Sequence, residues 1–134
     1  MDVYKVNEII GNNHRFISPF ADPYRYYIWE SGEHIDEKAI EFYWKQLKYA
    51  EKNVDLLIQQ GFNSSFYDES CVNKKIVKSP ADMCQRLIFE SFVLNLQDNT
   101  NKIGCCLSND EFMFGHFIDC EWDCNWNLIY SYFC

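Results

Sequence analysis

The sequence predicts an α+β fold: an antiparallel sheet that ends in a C-terminal β-meander, with two main helices packed on one face. Three observations predict it. Apolar residues recur at spacings of three and four from about Asp36 to Gln60. A second helix start is written at Ser79-Pro80-Ala81-Asp82. After Lys102 the pattern changes to alternation, with turn formers between the alternating runs. A chain of 134 residues with this much apolar and aromatic content (48% and 18%) can bury a core and is not compositionally disordered. No repeat or linker divides it, so residues 1–134 read as a single domain.

In chain order, Met1–Ile10 reads as a short helix or irregular lead-in, broken by Gly11-Asn12-Asn13. Arg15–Phe20 is a short aromatic piece held to an edge by Pro19 and Pro23, and Tyr24–Trp29 alternates as a strand. The long helix follows, with Ile40, Tyr43, Trp44, Leu47, Ala50, Val54, Leu57 and Ile58 on its apolar stripe. Asp36 serves as its cap, Glu41 and Lys45 as an i,i+4 pair, and Gly61 as its left-handed terminator. Lys74–Lys78 reads as a short strand. The second helix is expected to run from Pro80 through Leu87 and Ile88 to Leu94 or Leu96. Gln97–Asn101 turns the chain into a strand at Lys102–Leu107.

The last stretch, Glu111–Cys134, reads as a β-hairpin. Phe112, Phe114, His116, Ile118, Cys120 and Trp122 alternate with Met113, Gly115, Phe117, Asp119, Glu121 and Asp123. Residues 123–127 supply the turn, and Leu128–Phe133 the returning strand. No Lys or Arg follows Lys102, while five acids do: Asp110, Glu111, Asp119, Glu121 and Asp123. The hairpin is therefore expected to present an acidic, aromatic surface. Asp119, Glu121, Trp122, Asp123, Trp126 and Tyr130, with Tyr132 beside them, are its candidate partner-binding residues, because Trp and Tyr dominate interface hot spots. The acids Asp36, Glu37 and Glu41 form a second candidate surface.

Charge and motifs restrict the function. Twelve basic against 20 acidic residues give a net charge of -8, which disfavours nucleic acid and anionic membranes and favours a basic protein partner. No apolar run is long enough to span a bilayer, and MDVYKVNEII lacks the apolar core of a secretory signal. With seven cysteines, an odd number, the expectation is a reducing cytoplasm and free thiols. A zinc site is not expected: Cys120 and Cys124 make one plausible pair, but adjacent Cys105 and Cys106 point to opposite sides of a strand. No cysteine-enzyme signature and no glycine-rich phosphate loop occur, so no catalytic residue, cofactor or small-molecule substrate is expected. The remaining function classes are a stoichiometric binding protein, an acidic interaction or regulatory domain with another basic partner, and, third, a small Cys-rich metal-binding protein.

The segment FGHFIDCEWDCNW at 114–126 resembles the final hairpin of the small acidic immunity proteins of bacterial contact-dependent growth inhibition and related polymorphic toxin systems. The size, the acidic-aromatic composition and the lack of a catalytic motif share that resemblance. It implies an antitoxin that binds a cognate toxin domain of nuclease type and blocks it. Such a domain is basic, which suits a net charge of -8.

Overall fold

A computed structural model describes residues 28–29, 37–95 and 102–134. The expectations for Met1–Ile10, Arg15–Phe20, residues 24–27 of the Tyr24–Trp29 strand, the Asp36 cap and the Gln97–Asn101 turn lie outside the described residues. The element order is β1 (Ile28–Trp29), α1 (Glu37–Lys52), α2 (Val54–Ser64), a 3₁₀ turn at Glu69–Cys71, α3 (Pro80–Arg86), β2 (Ile88–Asn95), β3 (Lys102–Ser108), α4 (Asp110–Met113), β4 (Ile118–Trp122) and β5 (Leu128–Phe133). The strands form one sheet in the order β1-β2-β3-β4-β5. β2 to β5 pair antiparallel in sequence order, and β1 adds parallel to β2 at the far edge. The α+β class holds. Among the described residues no helix is long and apolar enough to cross a membrane.

The long helical span is two helices. Asn53 leaves helical angles (φ -113°, ψ 21°), and its side-chain amide donates to the Tyr49 carbonyl at 2.9 Å. Such side-chain competition for a helical carbonyl bends a helix. Leu47, Ala50, Val54, Leu57 and Ile58 of the expected stripe are all buried. Gly61 does not end the helix: α2 continues to Ser64 and stops where Ser65 turns extended. Gly61 is instead the point where α2 crosses the sheet, against Cys120 and Leu107.

The second predicted helix is corrected more heavily. Its start is as read: Ser79 caps α3 through its hydroxyl oxygen, which accepts from Asp82 N–H, and Pro80 opens the first turn. The helix then stops at Arg86, and Ile88–Asn95 is strand β2. The apolar run after Leu87 carries no decisive period, and its aromatic and β-branched residues suit a pleated strand paired to β3. Lys74–Lys78 is not a strand. It is a turn in which Ile76 and Val77 N–H both donate to the Asn73 carbonyl, at 3.1 and 3.0 Å.

The hairpin is shorter than predicted. Residues 110–113 form one helical turn, capped by Asn109, whose side chain accepts from Glu111 N–H. Phe112 and Met113 are therefore both buried, which alternation forbids. Phe114 and Gly115 leave the turn with positive φ (54° and 81°), and the strand starts at Ile118. From there the predicted alternation is observed: Ile118, Cys120 and Trp122 are buried, and Asp119 and Glu121 are half-buried on the opposite face. The core lies between α2 and the inner sheet face, joining Leu57, Ile58 and Met83 to Phe89, Ile103, Cys105, Leu107, Cys120 and Trp122.

Candidate functional site

With α2 and the core on the inner face, the residues opposite form an outer face. Register pairs Asp119 with Tyr132 and Glu121 with Tyr130 across β4 and β5, and Cys106 with Asp119 and Gly104 with Glu121 across β3 and β4. Directly opposed side chains of an antiparallel pair touch, so Asp119, Glu121, Tyr130 and Tyr132 are one surface unit. Tyr130 and Tyr132 stack with ring centroids 5.3 Å apart at 26°. The Tyr130 hydroxyl lies 3.4 Å from Asp119 Oδ2 and 3.4 Å from Glu121 Oε2. One hydroxyl proton cannot serve both carboxylates, so the pair keeps acceptor capacity for an outside donor. Tyr130 and Tyr132 are 36% and 48% exposed.

The electrostatics follow from that packing. Partial burial and the Asp119 and Glu121 charges push the Tyr130 phenol far above its ordinary range. The Tyr132 phenol also rises, chiefly through its hydrogen bond to Asp119. Both rings thus stay neutral and present π-faces beside two acids. This is an arrangement in which guanidinium or ammonium groups find a salt bridge and a ring face together. Lys102 Nζ, 3.6 Å from Glu121 Oε1, neutralises one corner.

The structure brings together Asp119, Glu121 and Tyr130 of the predicted set and removes three others from the open face. Trp122 is fully buried, lies 5.9 Å from Phe89 between ring centroids, and donates from Nε1 to Gln60 Oε1 at 3.1 Å. Trp126 is 9% exposed, stacks on Tyr49 at 5.0 Å and donates to Gln46 Oε1 at 2.8 Å. Both tryptophans are core residues, because each ring points to the helix side and finds a glutamine acceptor there. Trp126 takes that place with a left-handed backbone (φ 63°). Asp123 holds the turn: Oδ1 accepts from Asn125 and Asn127 N–H at 2.9 Å each, and Oδ2 from Asn127 Nδ2 at 3.1 Å. Those bonds, led by Asn127, lower its pKa. Lys102, Gly104 and Cys106 belong to the face and were not singled out from sequence. The period of two running back from Leu107 through β3 was the signal for them. Of the second candidate surface, Glu41 is exposed on α1, while Asp36 lies outside the described residues.

The cysteines are free thiols. Cys105 and Cys120 sit opposite each other across β3 and β4 in the core. Burial pushes the Cys105 thiol well above its usual range, with the adjacent Cys120 as a further cause, so it is a poor nucleophile. Among the described residues no group of three or more His, Cys, Asp or Glu side chains is placed to hold a metal ion. His116 is engaged structurally, its Nδ1 2.9 Å from the Cys134 carbonyl oxygen.

Fold and face together define a small α+β domain with helices on one side of the sheet and an acidic, tyrosine-bearing surface on the other. No protein-family model, no curated protein and no solved structure matches this chain.

Proposed function

We propose that this protein is an immunity protein: it binds a basic toxin domain of nuclease type one to one in the cytoplasm and keeps that domain from its substrate. The observation that supports this most is the open unit of Asp119, Glu121, Tyr130 and Tyr132, set on two strands that carry no Lys or Arg. A nuclease surface must be rich in Lys and Arg to hold phosphates. Fixed carboxylates stand in for those phosphates, and the stacked tyrosines receive the guanidinium planes. The net charge of -8 steers the encounter, which raises the association rate more than it lowers the dissociation rate. Trp122 and Trp126 stabilise the face from behind and do not touch the partner.

The test is co-expression with a basic toxin domain of nuclease type, scored as growth rescue, with binding kinetics at two ionic strengths. Replacing Asp119 by Asn and Glu121 by Gln, which leaves the Asp123 turn intact, should slow capture and flatten its salt dependence. A folded double variant that captures the domain at the parental rate and protects cells fully would remove this face from consideration. Binding of a basic domain without any rescue of growth would assign the face to a regulatory partner instead.

A further inference from the structure

Beside the acidic face lies the outer edge of β5. That strand is terminal in the sheet order, and among the described residues no strand pairs with its outer edge. The hydrogen-bond phase of the edge can be worked out. Cys134 N–H donates to the Phe117 carbonyl at 2.8 Å, and Phe117 N–H to the Cys134 carbonyl at 3.5 Å, so residues 117 and 134 are a hydrogen-bonded pair. Such pairs alternate along an antiparallel ladder. Tyr132 and Tyr130 therefore turn their backbone groups toward β4, while Ser131 and Phe133 turn N–H and C=O outward, away from the sheet. An unpaired row of this kind is a template for an added strand.

A second, independent feature lies along the same edge. A cleft of about 580 Å³ runs between the end of α2 and β5, lined among others by Gln60, Ser64, Asn127, Ile129 and Ser131. The Ser131 hydroxyl is buried and has no hydrogen-bond partner among the described residues. A buried hydroxyl without a partner is costly, and a donor or acceptor brought in by a ligand would relieve it.

The geometry points to β-strand addition: an extended segment of about six residues from the basic partner pairs with the Ser131–Phe133 edge of β5. Its alternate residues would then fall on two sides. One set lies on the outer face beside Tyr130 and Tyr132, within reach of Asp119 and Glu121, and is Lys or Arg. The other set lies over the cleft and is small and polar, meeting Ser131, Gln60 and Ser64. A second copy of this chain is the wrong occupant, since pairing β5 with itself would bring two acidic faces side by side. This inference rests on the proposed toxin-binding role for its charge pattern, but its backbone component is separate and is tested separately.

The probe is a synthetic peptide of alternating lysine and threonine. It has two N-methylated twins, one methylated at every lysine amide and one at every threonine amide, and a fourth version with glutamine for lysine. Amide resonances of the whole protein are followed during titration up to about 1 mM peptide, which detects even millimolar affinity. The expected result is that Ser131 and Phe133 amides shift and become protected. One methylated twin should lose affinity tenfold or more, and the other should keep it, because only one edge of a strand pairs. Ser131→Pro, which removes one outward donor and no ladder bond, should weaken the parent peptide alike. Equal binding by both twins, or shifts confined to Asp119, Glu121 and the tyrosine rings, would overturn strand addition and leave the acidic face standing. So would no binding at any concentration reached, or a dimer of the protein alone. Equal binding of the glutamine and lysine peptides, with the edge shifts present, would instead sink the charge reading and keep the edge.

Discussion

Gly61 offers the sharpest test of the packing that positions the candidate face. A Cβ built there falls 2.9 Å from Cys120 Sγ and 3.0 Å from Leu107 Cδ1, with Trp122 Cη2 at 3.9 Å. All three neighbours are fully buried on β3 and β4. Two terms oppose each other in Gly61→Ala. Alanine favours the helix over glycine by about 1 kcal/mol. Forcing a methyl into a filled core costs roughly 1–3 kcal/mol. Both close contacts are to fully buried side chains anchored on strands, so the packing cost prevails. The expected net loss is about 1 kcal/mol, or about 3–5 °C in Tm for a chain of this size. Cys120→Ala removes the nearer contact. On that background Gly61→Ala should cost less, with a coupling of about 1 kcal/mol across the cycle. Urea and thermal unfolding followed by circular dichroism measure both. A Gly61→Ala variant more stable than the parent by about 1 kcal/mol would show the helix propensity acting alone and refute the close crossing of α2 over the sheet.

Three further predictions follow from the same contacts. Trp126→Phe keeps a ring against Tyr49 but leaves the Gln46 carbonyl, 7% exposed, without its donor, and should lose about 1–3 kcal/mol; adding Gln46→Leu should recover part of it, and unchanged stability of the single variant would contradict a core role for Trp126. Asp123 has a lowered folded-state pKa, so its contribution is present above its ordinary value of 3.8 and is lost as pH falls through the lowered one; the stability gap between parent and Asp123→Ala, read by denaturation at stepped pH, should be widest near neutrality and close in acid, and a gap that widens in acid would reverse the assigned cause. Cys134 is exposed while Cys71, Cys105 and Cys120 are buried, so a thiol reagent should label Cys134 in the native protein and reach the other three only on unfolding, with all seven titrating in denaturant; native labelling of Cys105 as fast as Cys134 would show the sheet open.

The sequence by itself determined those features that local chemistry dictates. The stripe from Leu47 to Ile58, the Ser79-Pro80 start, the alternation Ile118 to Trp122 and the strands at 102 and 128 each carry a period or a cap that only one element satisfies. The acidic character of the C-terminal sheet was equally legible, since Asp119 and Glu121 follow from the period of two. Tertiary structure decided the rest. The run 88–95 suits a buried helix or a strand, and the β3 ladder beside it settled the choice. Gly61 fits a helix end or a helix crossing, and only the approach of Cys120 and Leu107 tells them apart. Trp122 and Trp126 looked like surface anchors because a tryptophan beside acids has no inherent side. Gln60 and Gln46, 62 and 80 residues distant in sequence, supply the acceptors that let both indoles be buried. Burial depends on partners brought from far along the chain, and a local pattern holds no record of them.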